Sequence, residues 1–176
     1  MASDILQGEP LLRAVFDYCA ARHGEQRLLA RADIDPVDMP RFVLPYLALF
    51  DLVDHGPRFR WRLAGTEVVN RFGRDPTGRM AEEVLSEDYL AFVTALVQQA
   101  SRHEVPVYSV AAFRWEGPRS MLVSRLYVPL GTPETGATQI LAAHDFDAAA
   151  RVGRLPAALL RDAQRFEEVT RHEVPY

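Results

Sequence analysis

The chain has 176 residues, of which 48% are hydrophobic and 25% are charged, and its formal net charge is -4. This length fits one domain that buries about 70% of the surface exposed by its unfolded chain. The composition is that of an average globular protein, which excludes disorder as the dominant state. The charge excludes a domain-wide basic surface, so nothing indicates binding to nucleic acid.

A single cysteine, Cys19, excludes an internal disulfide bond and a zinc site built on cysteines. Segment 1–10 carries acidic residues where a signal peptide needs a basic start and an apolar run. The longest uncharged apolar stretch, 42–50, is too short to span a membrane and contains Pro45. We therefore expect a cytoplasmic protein that does not bind a membrane.

The first predicted element is a helix over residues 10–23. Pro10 suits the first helical position, where no backbone N–H is needed, and Gly24 is typical of a helix end. Apolar positions recur at helical spacing and form one narrow face. These positions are Leu12, Val15, Phe16 and Cys19.

Two strands follow, over 46–54 and 58–63, and the turn Gly56-Pro57 between them predicts an antiparallel hairpin. In the second strand, arginines alternate with apolar residues without a break: Arg58, Phe59, Arg60, Trp61, Arg62 and Leu63. This period of two predicts that the three apolar side chains face a core and that the arginines face water. The arginine stripe either protects an edge hairpin against aggregation or serves as a docking surface for an acidic partner.

Helical segments separate this hairpin from the remaining strands. Residues 66–72 and 80–84 predict a short helix and a helical turn, and Ser86 caps a long helix whose first turn contains Glu87 and Asp88. Apolar side chains recur along the long helix at steps of three and four, which predicts a strongly amphipathic helix. They are Tyr89, Phe92, Val93, Leu96, Val97 and Ala100.

Three further strands are predicted over 107–113, 121–128 and 139–145, and a final helix over 156–169. The segment 131–138 is polar and rich in turn residues, so it is predicted to be a loop. Strands grouped in blocks, with helices between the blocks, predict an α+β fold with an antiparallel sheet.

Three segments carry a resemblance to a known family. Residues 28–51 contain a D-P-x-D-M-P run before the first strand, and residues 59–84 contain a strand end, WRLAGT, followed by an F-G-x-x-x-T-G turn. The long helix begins with SEDY at 86–89. Over residues 28–146 the chain resembles a bacterial PAS-like domain family.

The resemblance implies a PAS-like five-stranded antiparallel sheet in the order 2-1-5-4-3, wrapped with flanking helices around a pocket. It divides the chain into an N-terminal helix (1–27), a PAS-like domain (28–146) and a C-terminal helical extension (147–176). It implies a signalling sensor or adaptor, with no output domain on this chain, that binds a small ligand, a protein partner or both.

In a PAS fold, eight side chains of this chain would converge on the inner face of the sheet. They are Trp61, Val69, Phe72, Met80, Tyr89, Phe92, Val93 and Leu96. They form either a filled core or the lining of a ligand pocket. The resemblance identifies no ligand, so the cofactor is unknown. A flavin of the LOV kind, bonded to cysteine, is excluded because the segment FGRDPTGRM at 72–80 contains no cysteine. A flavin bound without a covalent bond, or another aromatic ligand, stays open.

No motif indicates catalysis, since a glycine-rich phosphate loop, a nucleophile elbow and an H-E-x-x-H sequence are all absent. The histidines at 23, 55, 103, 144 and 172 do not show the spacing of a metal site, so no metal is expected. His144 lies in a predicted core strand, so it is the one histidine that could serve as an axial ligand of a haem or another metal group. Two alternatives to a sensor remain open: a small ligand-pocket enzyme of the isomerase or cyclase kind, using Asp51 and His144 as acid and base, and a structural homodimer with a filled core.

The apolar face of helix 10–23 needs a partner surface, because an isolated helix of this length is marginally stable in water. The arginine stripe makes the outer face of the hairpin unsuitable, so a two-fold symmetric homodimer is predicted. Its interface would consist of Leu12, Val15, Phe16 and Cys19. The same residues would also suit packing on the chain's own sheet, and the sequence leaves both arrangements open. The repeat of RHEVP at 102–106 and 171–175 has no functional account.

Overall fold

The computed structural model describes residues 5–53, 58–114, 120–146 and 165–176. The strands in these ranges are β1 (Leu47–Val53), β2 (Arg58–Ala64), β3 (Val107–Arg114), β4 (Ser120–Thr132), β5 (Gly136–Phe146) and β6 (Arg165–Glu173). The helices are α1 (Pro10–His23), α2 (Thr66–Phe72) and α3 (Glu87–His103), with 3-10 turns at Arg31–Asp33, Leu44–Tyr46 and Ala81–Glu83. None of the helices in these ranges combines the length and the apolar character that crossing a membrane requires.

The strands form one sheet in the order β2-β1-β5-β4-β3-β6, and every neighbouring pair is antiparallel. The first five positions confirm the α+β class and the order 2-1-5-4-3. The pairing of β1 with β5 is long-range, because α2, α3, β3 and β4 lie between these strands along the chain. This pairing encloses a core between the sheet and the two helices.

The predicted C-terminal helix is wrong where the structure describes it. Residues 165–169 belong to β6, a sixth strand that pairs with β3 along the whole length of β3. Without β6, the backbone groups at that edge of β3 would have no hydrogen-bond partners in the sheet. Residues 165–169 pair with these groups, and this pairing outweighs the weak helical periodicity of their sequence. The rest of the predicted helix, 156–164, lies outside the described residues.

The predicted loop at 131–138 is mostly strand. β4 continues to Thr132 and β5 begins at Gly136, so that only a short turn separates them. A Cβ atom added to Gly131 would lie 1.9 Å from the carbonyl oxygen of Gly136, and only glycine permits this close approach. The polar composition of this segment therefore marks the end of a long hairpin.

Both faces of the sheet are buried. α2 and α3 cover one face, called the inner face here, where Trp61 and Phe92 lie in one core cluster as predicted. α1 covers the opposite, outer face, and packs there against Leu126, Val128 and Leu141. One sheet thus separates two apolar cores.

The apolar face of α1 is buried within its own chain. Leu12 and Cys19 are 0% exposed, Val15 is 1% exposed and Phe16 is 6% exposed. This packing corrects the expectation that the four side chains form a dimer interface. The outer face of β4 and β5 is apolar and lies away from the arginine stripe, so it accepts the helix. A homodimer stays a prediction and requires a different surface.

β2 keeps only part of the predicted alternation. Trp61 is buried on the inner face, whereas Leu63 is 51% exposed instead of lying in the core. The pairing of β1 with β2 is irregular between Leu49 and Phe50, which lie opposite Leu63 and Trp61. This bulge leaves Arg62 without a partner residue across the ladder and reverses the alternation. Leu63 therefore joins the outer face.

Candidate functional site

Three polar side chains are buried together on the inner face. Tyr89 comes from α3, Arg125 from β4 and His144 from β5, and their exposures are 5%, 0% and 2%. Arg125 and His144 lie opposite each other in the ladder between β4 and β5. The Tyr89 hydroxyl accepts a hydrogen bond from Nη2 of Arg125 at 3.0 Å. These three residues are called the inner polar cluster below.

Strand alternation places Arg125 on the inner face. Met121, Val123 and Tyr127 occupy positions of the same parity and lie in the inner core, whereas Leu126 packs on the outer face. Around Arg125, β4 is covered on both faces, since Ser124 and Leu126 on the outer parity are buried as well. Arg125 was not singled out from the sequence, because the alternation of β4 gives the face of this residue but does not show whether that face is covered.

The guanidinium of Arg125 has too few partners. Nη1 donates a hydrogen bond to the carbonyl oxygen of Val123 at 3.0 Å, and Nε has no hydrogen-bond partner. The rings of Phe92 and Phe113 lie 5.4 Å and the ring of Tyr89 lies 5.7 Å from the central guanidinium carbon, and a cation–π contact with a desolvated cation is worth about 2 kcal/mol. Among the described residues, no carboxylate forms an ion pair with Arg125. Burying a charge costs several kcal/mol, so these contacts offset only part of the cost.

His144 is the second member of the cluster with an unsatisfied atom. Burial is the main reason why its pKa falls from 6.5 to about 3, and the positive charge of Arg125 lowers the pKa further. Its ring stacks on Phe146 at 5.5 Å between centroids and meets the ring of Tyr127 edge-on at 6.1 Å. Nδ1 of His144 is buried without a hydrogen-bond partner. At neutral pH this imidazole is therefore uncharged and able to form one more hydrogen bond.

We expect His144 to make the stability of the protein depend on pH. The folded-state pKa is depressed, so between pH 6.5 and about 3 the unfolded chain binds a proton that the folded chain does not. Stability from this group is present above pH 6.5 and is lost as the pH falls, by about 2 kcal/mol between about pH 7 and 5.

Denaturant unfolding of wild type and His144→Gln at both pH values measures this loss. The variant should lose less stability on acidification, because glutamine does not titrate. His172→Gln, a change at an exposed histidine, is the control and should behave as wild type. Equal acid sensitivity of wild type and His144→Gln would contradict a buried, neutral imidazole.

β6 closes one side of the inner polar cluster. Its Phe166 ring lies 5.8 Å from Tyr89, 5.3 Å from Phe92 and 6.1 Å from Phe113. Tyr89, Phe92 and Phe113 lie 5.4–5.7 Å from the guanidinium carbon of Arg125, and Phe166 packs against these three rings. Neither β6 nor these contacts were predicted, because a strand pairing set the position of Phe166.

Most of the predicted pocket residues do converge on the inner face. Those in the inner core are Trp61, Phe72, Tyr89, Phe92, Val93 and Leu96. Val69 and Met80 are only half-buried. α2 begins after Gly65, so Val68 and Phe72, four residues apart, face the core and Val69 does not. The role of this set as a ligand pocket stays a prediction.

Asp51 and His144, the predicted acid and base, are not brought together. His144 is in the inner core, while Asp51 binds the arginine stripe, with Arg60 and Arg62 at 3.3 and 3.4 Å. Partial burial alone would raise the pKa of Asp51, but a hydrogen bond from Gln139 and the two arginines outweigh this and lower it. Asp51 is thus an ionised partner of surface arginines. This pair does not support proton-transfer catalysis.

Two further observations bear on ligand chemistry. Within the described ranges, no group of three or more His, Cys, Asp or Glu is placed to hold a metal ion. On the outer face a groove of about 200 Å³ runs along β1, lined mainly by apolar residues such as Ile34, Met39, Leu47 and Leu63. None of the buried polar atoms that lack a partner belongs to a residue of this groove. The inner polar cluster is therefore the stronger candidate site.

A family model described as a PAS domain matches residues 8–143. The chain belongs to the PAS family. Among solved structures, it is similar to the LOV protein of Rhodobacter sphaeroides at 12% identity, covering 77% of this chain and 68% of that one, with a TM-score of 0.44. It is also similar to a sensory box histidine kinase/response regulator of Burkholderia thailandensis E264 at 13% identity, covering 64% and 88%, with a TM-score of 0.39. A comparison with curated protein sequences finds no match.

In this PAS domain the one cysteine lies far from the inner polar cluster. Cys19 is on α1, in the core on the outer face of the sheet. Burial raises the pKa of its thiol to about 12, so the thiol is protonated at neutral pH. A cysteinyl bond to a ligand on the inner face is excluded by this position, in agreement with the sequence of segment 72–80.

Proposed function

We propose that this PAS domain is a signalling sensor in which a small ligand binds at the inner polar cluster. The supporting observation is that Nε of Arg125 and Nδ1 of His144 are both buried, on one face, without hydrogen-bond partners. Buried polar atoms in native proteins nearly always have a partner. A ligand would supply both partners, and the aromatic side chains around them would bury its apolar part.

β6 is the proposed connection between this site and the surface. Phe166 on β6 contacts the cluster, and the strand is also bound to α3 through hydrogen bonds from Gln99 to Glu173 at 2.9 Å and from Arg171 to Gln99 at 3.3 Å. A ligand changes the position of β6 only if it binds two arrangements of the strand with different affinities. A signalling protein that contacts β6 would detect that change.

The structural alternative, a homodimer with a filled core, predicts no ligand and offers no partner for the two unsatisfied atoms. The enzymatic alternative loses its named acid/base pair, because Asp51 and His144 lie on opposite faces of the sheet. We therefore propose a binding role without catalysis.

Native mass spectrometry of freshly purified protein tests the proposal. We expect an additional small mass on wild type and an occupancy lower by about fivefold in Tyr89→Phe, which removes a hydroxyl that orients Arg125. The matched control is Tyr18→Phe, because that hydroxyl bonds the backbone of Asp35 on the outer face. Wild type without an additional mass would contradict the proposal. So would equal loss of the ligand in both variants.

A further inference from the structure

We propose that the ligand of the inner polar cluster is a small organic monoanion with a ring-sized apolar body, and that Arg125 binds its carboxylate. This inference rests on the proposed function and adds the chemical class of the ligand. It follows from the charge of the cluster, from the planar shape of the Arg125 guanidinium and from the aromatic side chains around it.

The charges around Arg125 sum to an excess of positive charge. On β6, the carboxylate of Glu168 accepts hydrogen bonds from Arg171 at 2.6 and 2.9 Å and from the Ser109 hydroxyl at 3.3 Å. A second cation, Arg71 on α2, lies on the other side of the cluster, with its guanidinium carbon 5.7 Å from the ring of Phe146. Its Nε is also buried without a hydrogen-bond partner. Buried charges in stable proteins are paired, so the missing partner is an anion.

The number of charges favours a monoanion. Arg125 is the fully buried cation of the cluster, whereas Arg71 is only half-buried and reaches solvent, and His144 is neutral at physiological pH. A carboxylate balances one guanidinium, whereas a phosphate monoester would bring about one more negative charge into a buried site. A carboxylate also matches the planar guanidinium, which prefers paired N–H···O bonds.

The surroundings of Arg125 favour an apolar body on the same ligand. Four aromatic rings form a closed chain in which neighbouring ring centroids are 5.3–6.1 Å apart: Tyr89, Phe92, Phe166 and Phe113. Aromatic side chains of this kind stack on a flat ring at 4.5–7 Å between centroids. A small, fully hydrated anion would gain nothing from them, so an aromatic carboxylate fits the site better than an inorganic ion.

The test uses the full chain after dialysis, with benzoate as the probe and benzamide as a neutral molecule of the same shape. The ¹⁵N resonance of Nε of Arg125, assigned by its loss in Arg125→Met, is followed during each titration. We expect benzoate to shift this resonance and to bind about tenfold more tightly than benzamide. Arg60→Met, which removes an exposed arginine of β2, should bind benzoate as wild type does.

Arg125→Met should lose benzoate binding and should be at least as stable as ligand-free wild type, because methionine fills a similar volume without an unpaired charge. If Arg125→Met does not fold, Arg125→Gln is used in its place. The comparison of benzoate with benzamide is made on wild type and needs no variant. Equal affinity for benzoate and benzamide would overturn the proposal. So would the absence of any shift of the Nε resonance with benzoate, phenylacetate and acetate at millimolar concentration.

Failure of this proposal can be separated from failure of the proposed function. If native mass spectrometry shows the same co-purified molecule on wild type and on Arg125→Met, the domain binds a ligand but Arg125 does not select an anion. If benzoate binds at Arg125 while wild type never carries a co-purified molecule, the cluster is an anion site and the sensor proposal lacks its ligand.

Discussion

Replacing Trp61 by alanine is expected to lower the free energy of unfolding by about 3–5 kcal/mol. The indole is 2% exposed and packs edge-on against Phe50 at 4.7 Å and Phe72 at 5.3 Å, so its removal leaves a large cavity between the sheet and α2. Domains of this size are stable by about 5–15 kcal/mol, so the variant should be poorly soluble or unfolded.

Denaturant unfolding of wild type and Trp61→Ala measures this loss. The matched control is Phe42→Ala, an equally drastic truncation of an aromatic side chain that is 56% exposed. The control should stay within about 0.5 kcal/mol of wild type. A Trp61→Ala protein that melts with wild type would show that the indole is not part of the inner core.

Phe16→Glu is expected to destabilise the monomer by about 3–5 kcal/mol. Phe16 is 6% exposed on the inward side of α1 and stacks on Tyr176 at 5.5 Å. A glutamate at this position would bury a carboxylate in the apolar core of the outer face, unless it becomes protonated or the helix leaves the sheet. Thermal unfolding and circular dichroism measure the loss of stability and of structure.

Ala21→Glu places the same charge on the exposed side of the same helix and should leave stability unchanged within about 0.5 kcal/mol. Light scattering on both variants separates packing within the chain from packing across a dimer. If Phe16→Glu stays fully folded and changes only from dimer to monomer, the helix covers a second copy and the packing described here is wrong.

The strands and helices of the PAS core could be predicted from local patterns. Two patterns indicated a buried face: the alternation over 58–63, and the three- and four-residue spacing of apolar residues from Tyr89 to Ala100. The structure shows one buried face on each of these two elements. The exception inside this region is Leu63. A bulge between β1 and β2 moves it to the outer face, and bulges depend on pairing between strands.

The candidate site was predictable only in its apolar part. Phe72, Tyr89, Phe92 and Leu96 were expected on the inner face because of the resemblance to a PAS fold, and the structure places them there. Arg125 was not, because a single arginine in an apolar strand has the same local pattern whether its face is covered or exposed. Its burial depends on α3, which covers that face, and on Phe166 of β6, which packs against Tyr89 and Phe92 of α3; both elements are distant along the chain.

By itself, the amino-acid sequence determined the α+β class, the places of most helices and strands, and the PAS resemblance, because periodicity and turn residues act over a few neighbouring positions. The tertiary structure alone decided three matters. It placed α1 on its own sheet, turned 165–169 into a strand, and buried Arg125 and His144 without full partners. Each of these depends on which surface another part of the chain offers, and contacts between distant residues set that surface.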